Sequence, residues 1–166
     1  MAVVTLVGTK TTDLVATKQT FVDSRYHYGR VRSTFDVVET NDDDTISSTY
    51  HLARLPSNAV ILPSSTIYFD DIGGSTPTTL DLGVYAVDAN LSNADDPDGI
   101  NDGIDVSSAG SASVIKDFAT SATALWDYVA SESSDPGGLL DIKAYLQDAV
   151  TDAAGSIALE LYYVVD

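Results

Sequence analysis

Apolar and polar residues alternate with a period of two along most of this chain. Across 30–38, Val31, Phe35 and Val37 alternate with Arg30, Arg32, Thr34 and Asp36. Ile46, Tyr50 and Leu52 share one parity in 45–55, and Leu80, Leu82, Val84 and Ala86 share one opposite Asp81, Gly83 and Tyr85. The last segment is the most regular, with Ile157, Leu159, Leu161, Tyr163 and Val165 set against Ser156, Ala158, Glu160 and Tyr162. Successive side chains of a strand point to opposite faces, so each run predicts a half-buried strand of an antiparallel sheet, apolar set inward.

Turn chemistry separates these runs. Asn41-Asp42-Asp43-Asp44, Leu55-Pro56-Ser57-Asn58, Gly73-Gly74-Ser75-Thr76-Pro77 and Asp152-Ala153-Ala154-Gly155 each lie between them. Pro63 interrupts the apolar run from Ala59 to Phe69; lacking an N–H, it marks an edge, a bulge or a break between two short strands. The stretch from Ser111 to Ala130 is read as one or two short helices. Ile142 to Val150 fits a helical turn or a strand with Ile142, Ala144 and Leu146 on one face, and the strand is preferred. Many short strands with little helix predict an all-β, jelly-roll-like antiparallel β-sandwich over 25–166. Residues 1–24, rich in Thr and Val, are an N-terminal arm or an edge strand of the same domain.

Composition fits this picture. The chain has 166 residues, 44% hydrophobic and 20% charged, which is globular and enough for one core. It contains no cysteine, so disulfides, thiolate metal sites and cysteine nucleophiles are excluded together. No run approaches the roughly 20 apolar residues of a membrane helix, and Met1-Ala2-Val3-Val4-Thr5-Leu6-Val7 lacks the basic start and long apolar core of a signal peptide.

Charge adds a direction. The net charge is −17, but residues 1–54 balance to −1 and residues 55–166 to −16. All four arginines, Arg25, Arg30, Arg32 and Arg54, and both histidines, His27 and His51, fall between 25 and 54. An acidic surface repels phosphate, which argues against nucleic acid as a partner. Either the acidity serves solubility, or the 25–54 region faces an acidic partner through its arginines.

The search for chemistry yields little. His27 and His51 sit in no recognisable catalytic signature, no Gly-x-Ser-x-Gly elbow exists, and Gly73-Gly74 and Gly137-Gly138 lack the lysine of a phosphate loop. With 25 acids, carboxylate pairs occur by number alone, so glycoside hydrolysis would need two of them in one cleft. Residues 94–105 are a candidate calcium loop: Asp96, Asp98, Asp102 and Asp105 with Gly99 between them resemble the Asp-rich repeat that wraps a hard cation. Ala94 stands where that repeat wants its first aspartate, and a solvated acidic loop is the alternative. Tyr26, Tyr28, Tyr50, Tyr68, Tyr85, Tyr162 and Tyr163 are either strand packing residues or a contact surface, for protein ahead of sugar.

One resemblance goes further. The segment Asp44-Thr-Ile-Ser-Ser-Thr-Tyr-His-Leu-Ala-Arg-Leu-Pro-Ser-Asn-Ala-Val-Ile-Leu-Pro-Ser-Ser, then Leu80-Asp-Leu-Gly-Val-Tyr, resembles tailed-bacteriophage capsid decoration (cement) and related head proteins. Leu125-Trp126 and the end from Gly155 to Asp166 are similar as well. The resemblance covers most of 27–166 and implies a non-enzymatic virion protein, assembled in the host cytoplasm and bound to the outer capsid surface. It implies a homotrimer that bridges major capsid subunits, with no cofactor, nucleic acid or membrane partner. The alternative is a carbohydrate- or receptor-binding β-sandwich of a phage fibre or tail. On charge asymmetry, Arg25, Arg30, Arg32 and Arg54 are the candidate shell-facing set.

Overall fold

The computed structural model describes residues 29–73, 77–87, 95–117, 121–129, 134–148 and 151–165. The 1–24 arm, Arg25, His27, Tyr26 and Tyr28 lie outside them. Among the described residues nine strands run in the order β1 (Val31–Glu39), β2 (Thr49–Pro56), β3 (Val60–Ile61), β4 (Thr66–Phe69), β5 (Thr79–Ala86), β6 (Asp96–Asp105), β7 (Gly110–Ser113), β8 (Leu139–Leu146) and β9 (Ser156–Val164). One sheet has the order β1-β9-β4-β7, with β3 also on β9, and the other the order β2-β8-β5-β6.

Setting aside the two-residue β3, the strands pair as one long antiparallel hairpin rolled up: β1 with β9, β2 with β8, β4 with β7 and β5 with β6. That nesting of eight strands in two sheets is the jelly roll, as the alternating patterns predicted. Between the sheets lies a single core that includes Leu52, Ile67, Leu80, Leu82, Leu140, Ile142, Leu146, Ile157 and Leu159, each at most 2% exposed. Each such side chain stabilises the fold by roughly 1.5–3 kcal/mol relative to exposure.

Two loops tie the strand ends together. Thr40 N–H donates to the Gly155 carbonyl at 2.7 Å, and the buried Thr151 hydroxyl donates to the Asn41 carbonyl at 2.7 Å while accepting from Asp44 N–H at 2.8 Å. The end of β1 and the start of β2 therefore lie at this end of the sandwich, and Val31 and Pro56 at the other. Pro63 falls where a break was expected. β3 and β4 are two halves of one strand along β9, and the Ser65 hydroxyl fills the gap, donating to the Tyr162 carbonyl at 3.1 Å and accepting from Tyr162 N–H at 2.9 Å.

Two expectations need correction, and a third is met in part. Among the described residues 111–113 belong to β7, while Ser111 to Ala130 holds one short helix, a four-residue 3-10 turn, Leu125–Tyr128. Its backbone is held by strand-end carbonyls, with Leu125 N–H on Ala59 at 2.9 Å and Trp126 N–H on Ser57 at 3.0 Å. Ile46 is not a core residue of β2 but 49% exposed, ahead of the strand in a turn. Most consequential, β1 is turned the other way round. Val38 and Thr34 stand opposite the buried Ile157 and Leu161 of β9, so Val31, Phe35 and Val37 point outward and are 55, 65 and 49% exposed.

Candidate functional site

The outer face of the β2-β8-β5-β6 sheet carries a polar cluster that a strict period of two forbids. His51 and Arg54 are three apart, so an unbroken strand would place them on opposite faces. A bulge intervenes. His51 pairs with Lys143, the next paired residue is Ala53 with Ile142, and Arg54 pairs with Asp141. The extra residue, Leu52, goes into the core, and His51 and Arg54 emerge on the same outer face. There they meet at one carboxylate. Arg54 Nε lies 2.6 Å from Asp141 Oδ1 and Nη2 3.1 Å from Oδ2, and His51 Nε2 lies 3.1 Å from Oδ1.

Burial pushes the Asp141 carboxyl up, but the Arg54 hydrogen bonds and the nearby His51, Arg54 and Lys143 outweigh it and hold the group below the ordinary carboxylate value. Lys143 Nζ sits 4.6 Å above the Tyr85 ring on β5, a cation–π contact beside the same cluster. His51 Nε2 also lies 3.1 Å from the Ala53 carbonyl oxygen. His51 Nε2 therefore faces a carboxylate and a backbone oxygen, not a hydroxyl, among the described residues. Within this cluster the cations Arg54 and Lys143 outnumber the single carboxylate of Asp141.

β6 explains the acidic segment. Asp96 pairs with Val84 and Asn101 with Leu82, so four residues of β6 span a single residue of β5. The surplus folds across the sheet at Gly83, where a Cβ would collide with the Asp96 carbonyl and the Pro97 backbone. A second irregularity follows between Leu80 and Leu82. Gly103 takes φ +77°, open to glycine without strain, and its N–H donates to Asp81 Oδ1 at 2.8 Å. Asp81 is 3% exposed; burial raises its pKa, the Gly103 bond lowers it, and the charges of Asp102, Asp98 and Asp148 raise it, leaving the carboxyl above its ordinary value. The Tyr85 hydroxyl is buried without a hydrogen-bond partner among the described residues. Burial first, then the negative charge of Asp95, pushes it up to about 12.

The four aspartates proposed for calcium lie on this strand, not on an open loop, and they have different partners. Asp96 and Asp98 adjoin; burial first, then hydrogen bonding to Asp98 and its charge, raise the Asp96 carboxyl. Asp102 approaches Lys116, with Nζ 3.4 Å from Oδ2, and Asp105 Oδ1 accepts from Ser107 N–H at 2.9 Å. Asp96, Asp98, Asp102, Lys116 and Asp117 line a shallow cleft of about 320 Å³. Among the described residues, no three acidic or histidine side chains converge as a metal site.

The three described arginines are not one patch. Arg30 and Arg32 stand at the start of β1, exposed, whereas Arg54 is bound to Asp141 on the other sheet at the same end of the sandwich. The tyrosines scatter too. Tyr50 is buried with its hydroxyl donating to Asp44 at 2.9 Å, while Tyr68 and Tyr162 flank Glu160 on the outer face of the β1-β9-β4-β7 sheet. That face also holds Val31, Phe35 and Val37, which stand beside Val164, Glu160 and Ala158 of β9. Signals for this surface are present in the sequence, but they require knowing which face of β1 is buried.

Fold and side-chain chemistry thus define a jelly-roll β-sandwich with developed surfaces and no assembled catalytic constellation among the described residues. No protein-family model matches the chain, and no curated protein sequence matches it. Solved structures do. A chain of the cyanophage Pam1 capsid asymmetric unit is similar at 16% identity and a TM-score of 0.55, over 91% of this chain and 96% of that one. A chain of the capsid of Ralstonia phage GP4 is similar at 18% identity and a TM-score of 0.54, over 81% of this chain and 85% of that one. The likeness is one of fold, carried across more than four fifths of each chain.

Proposed function

We propose that this chain is a non-enzymatic structural protein of a tailed-phage virion. It decorates the outer surface of the head and stabilises contacts between major capsid subunits. The observation that carries this reading is the match of the jelly roll to chains of two phage capsids, over 91% and 81% of this chain and 96% and 85% of those chains. A near-complete match fits a protein whose whole body is the capsid component. The chemistry is consistent with it, since cementing requires complementary surface and no reaction. On this reading the acidic body, −16 over residues 55–166, faces solvent, and the shell is met by the end of the sandwich where Arg30, Arg32 and Arg54 lie, with Arg25 and the 1–24 segment preceding them. Self-association as a homotrimer belongs to the same reading, as the resemblance to decoration proteins implies.

The test is made on particles. Phage heads lacking this chain are expected to rupture at a lower temperature, or at a higher salt concentration on dilution, than heads carrying it. Adding the purified chain back is expected to restore the threshold. Identical thresholds with and without it, or failure of the chain to sediment with heads, would overturn the reading.

A further inference from the structure

Among the described residues, the exposed edges of the two sheets are not equivalent. β2 is bulged at His51–Ala53 and ends on Pro56, β6 breaks register twice and contains Pro97, and β7 is only four residues long. Bulges, prolines and shortness are among the devices that keep an unpaired edge from capturing another strand. β1 has none of these three, and its inward-parity charges, Arg32 and Asp36, are of opposite sign. Its nine residues follow β9 in unbroken register without a proline. It also turns Val31, Phe35 and Val37 to solvent while Thr34 and Val38 face inward.

We propose that β1 is a homotypic pairing edge, which joins β1 of a second copy in antiparallel register about a two-fold axis at Thr34. The sequence of the strand is self-complementary in that register. Val31 stands opposite Val37 of the second copy, Arg32 opposite Asp36, Ser33 opposite Phe35, and Thr34 opposite itself, with each relation repeated by symmetry. Cross-strand neighbours share a face, so the outer face gains a continuous apolar strip from both copies and the inner-parity face gains two Arg32–Asp36 ion pairs. Arg32 and Asp36 are both exposed. A two-residue slip toward the C-terminus, centred on Phe35, sets Arg32 against Val38 and Asp36 against Thr34 and loses both charge pairs. Self-complementary patches are what a closed two-fold contact requires.

The second copy is favoured over an unrelated partner by this charge pattern. Residues 30–39 carry two arginines and two acids and are neutral in a chain of net charge −17, so two copies can approach here with least repulsion. The inference goes beyond the capsid reading and does not rest on it. A two-fold contact joins copies pairwise and coexists with a three-fold contact made by another surface. Arg30, set against Val38, stays free of a carboxylate in this register.

The test is sedimentation velocity on the full chain across about 1–100 µM at physiological salt, a range suited to a modest interface. The wild-type chain is expected to form dimers, or even-numbered assemblies of a larger unit. Arg32→Asp sets like charges opposite each other twice and is expected to raise the dissociation constant at least about tenfold. The double exchange Arg32→Asp with Asp36→Arg restores opposite pairs and is expected to restore association. Arg30→Asp changes net charge by the same amount as Arg32→Asp and is expected to leave association within about twofold of wild type. These positions are exposed, and unchanged melting curves confirm folding. A monomer throughout, a trimer indifferent to Arg32→Asp, failure of the double exchange to restore association, or equal loss with Arg30→Asp would each overturn the proposal.

Discussion

Arg54 holds Asp141 by two hydrogen bonds, Nε to Oδ1 at 2.6 Å and Nη2 to Oδ2 at 3.1 Å, although the two residues are 87 positions apart. The Asp141 side chain is 7% exposed, whereas Arg54 is 47% exposed, so the guanidinium serves as the polar lid of a nearly buried carboxylate. Arranging them took the bulge in β2 and the pairing of β2 with β8. The same pairing brings His51 and Lys143 alongside and makes Asp141 the shared anion of the face.

This arrangement gives stability a two-sided dependence on pH. Asp141 and Asp44 have depressed folded values. The Asn41 N–H holds Asp44 down first, burial opposes it, and the Tyr50 hydroxyl assists. Their contribution is present above the unfolded carboxylate value of about 3.9 and is lost as pH falls through the folded ones. Asp81 and Asp96 are raised and act oppositely: the folded state holds their protons more tightly, so acidification from neutral pH toward those values stabilises it. Melting temperature is expected to rise on mild acidification and fall below about pH 4. Asp81→Asn, whose amide oxygen can still accept from Gly103, is expected to raise the neutral-pH melting temperature and flatten the rise. Thermal melts across pH check both; a variant profile parallel to wild type would remove Asp81 as a cause.

Gly83→Ala is expected to destabilise strongly. A Cβ there meets backbone atoms of Asp96 and Pro97, which cannot rotate away as a side-chain tip would. Overpacking of this kind costs about 1–3 kcal/mol or more, a fall of several degrees in melting temperature for a chain of this size. Hydrogen exchange is expected to show β6 losing protection ahead of β9. Uniform loss would mean that the bulge does not separate locally.

Two tyrosines separate burial from bonding. Tyr85→Phe removes a buried hydroxyl that has no hydrogen-bond partner among the described residues and is expected to be neutral or stabilising. Tyr50→Phe removes a hydroxyl bonded to Asp44 and is expected to cost about 1 kcal/mol. Denaturant titration of both variants checks the contrast, and equal costs would contradict it.

The orientation of β1 can be read by substitution. Phe35→Ser is expected to change stability by no more than about 0.5 kcal/mol, as for an ordinary surface site. Leu159→Ala, fully buried on the neighbouring strand β9, is expected to cost about 2–5 kcal/mol. With both variants measured at concentrations where the chain is monomeric, a large loss with Phe35→Ser would place that ring in the core after all.

Strand existence was legible from the chain, and β9 most clearly, because Ile157, Leu159 and Leu161 bury one face of a strand paired along its length. Pro63 announced its break for a local reason, the missing N–H. The acidic segment 94–105 was visible as chemistry but misread as a loop, since whether Asp96 to Asp105 pairs with β5 depends on residues some twenty positions away. The Arg54–Asp141–His51 cluster was invisible for the same reason: an extra residue in β2 reverses which side chains share a face, and nothing local marks Leu52 as that residue.

By itself, then, the sequence determined an acidic chain of alternating strands with a lopsided charge, because period, turn residues and net charge are properties of neighbours along the chain. Only the tertiary structure decided that the apolar row of β1, unlike those of β5 and β9, is not the buried one. Val31, Phe35 and Val37 form as good an apolar row as those of the core, yet the register of β1 on β9 points them outward. Alternation specifies two faces, and packing between sheets selects one of them.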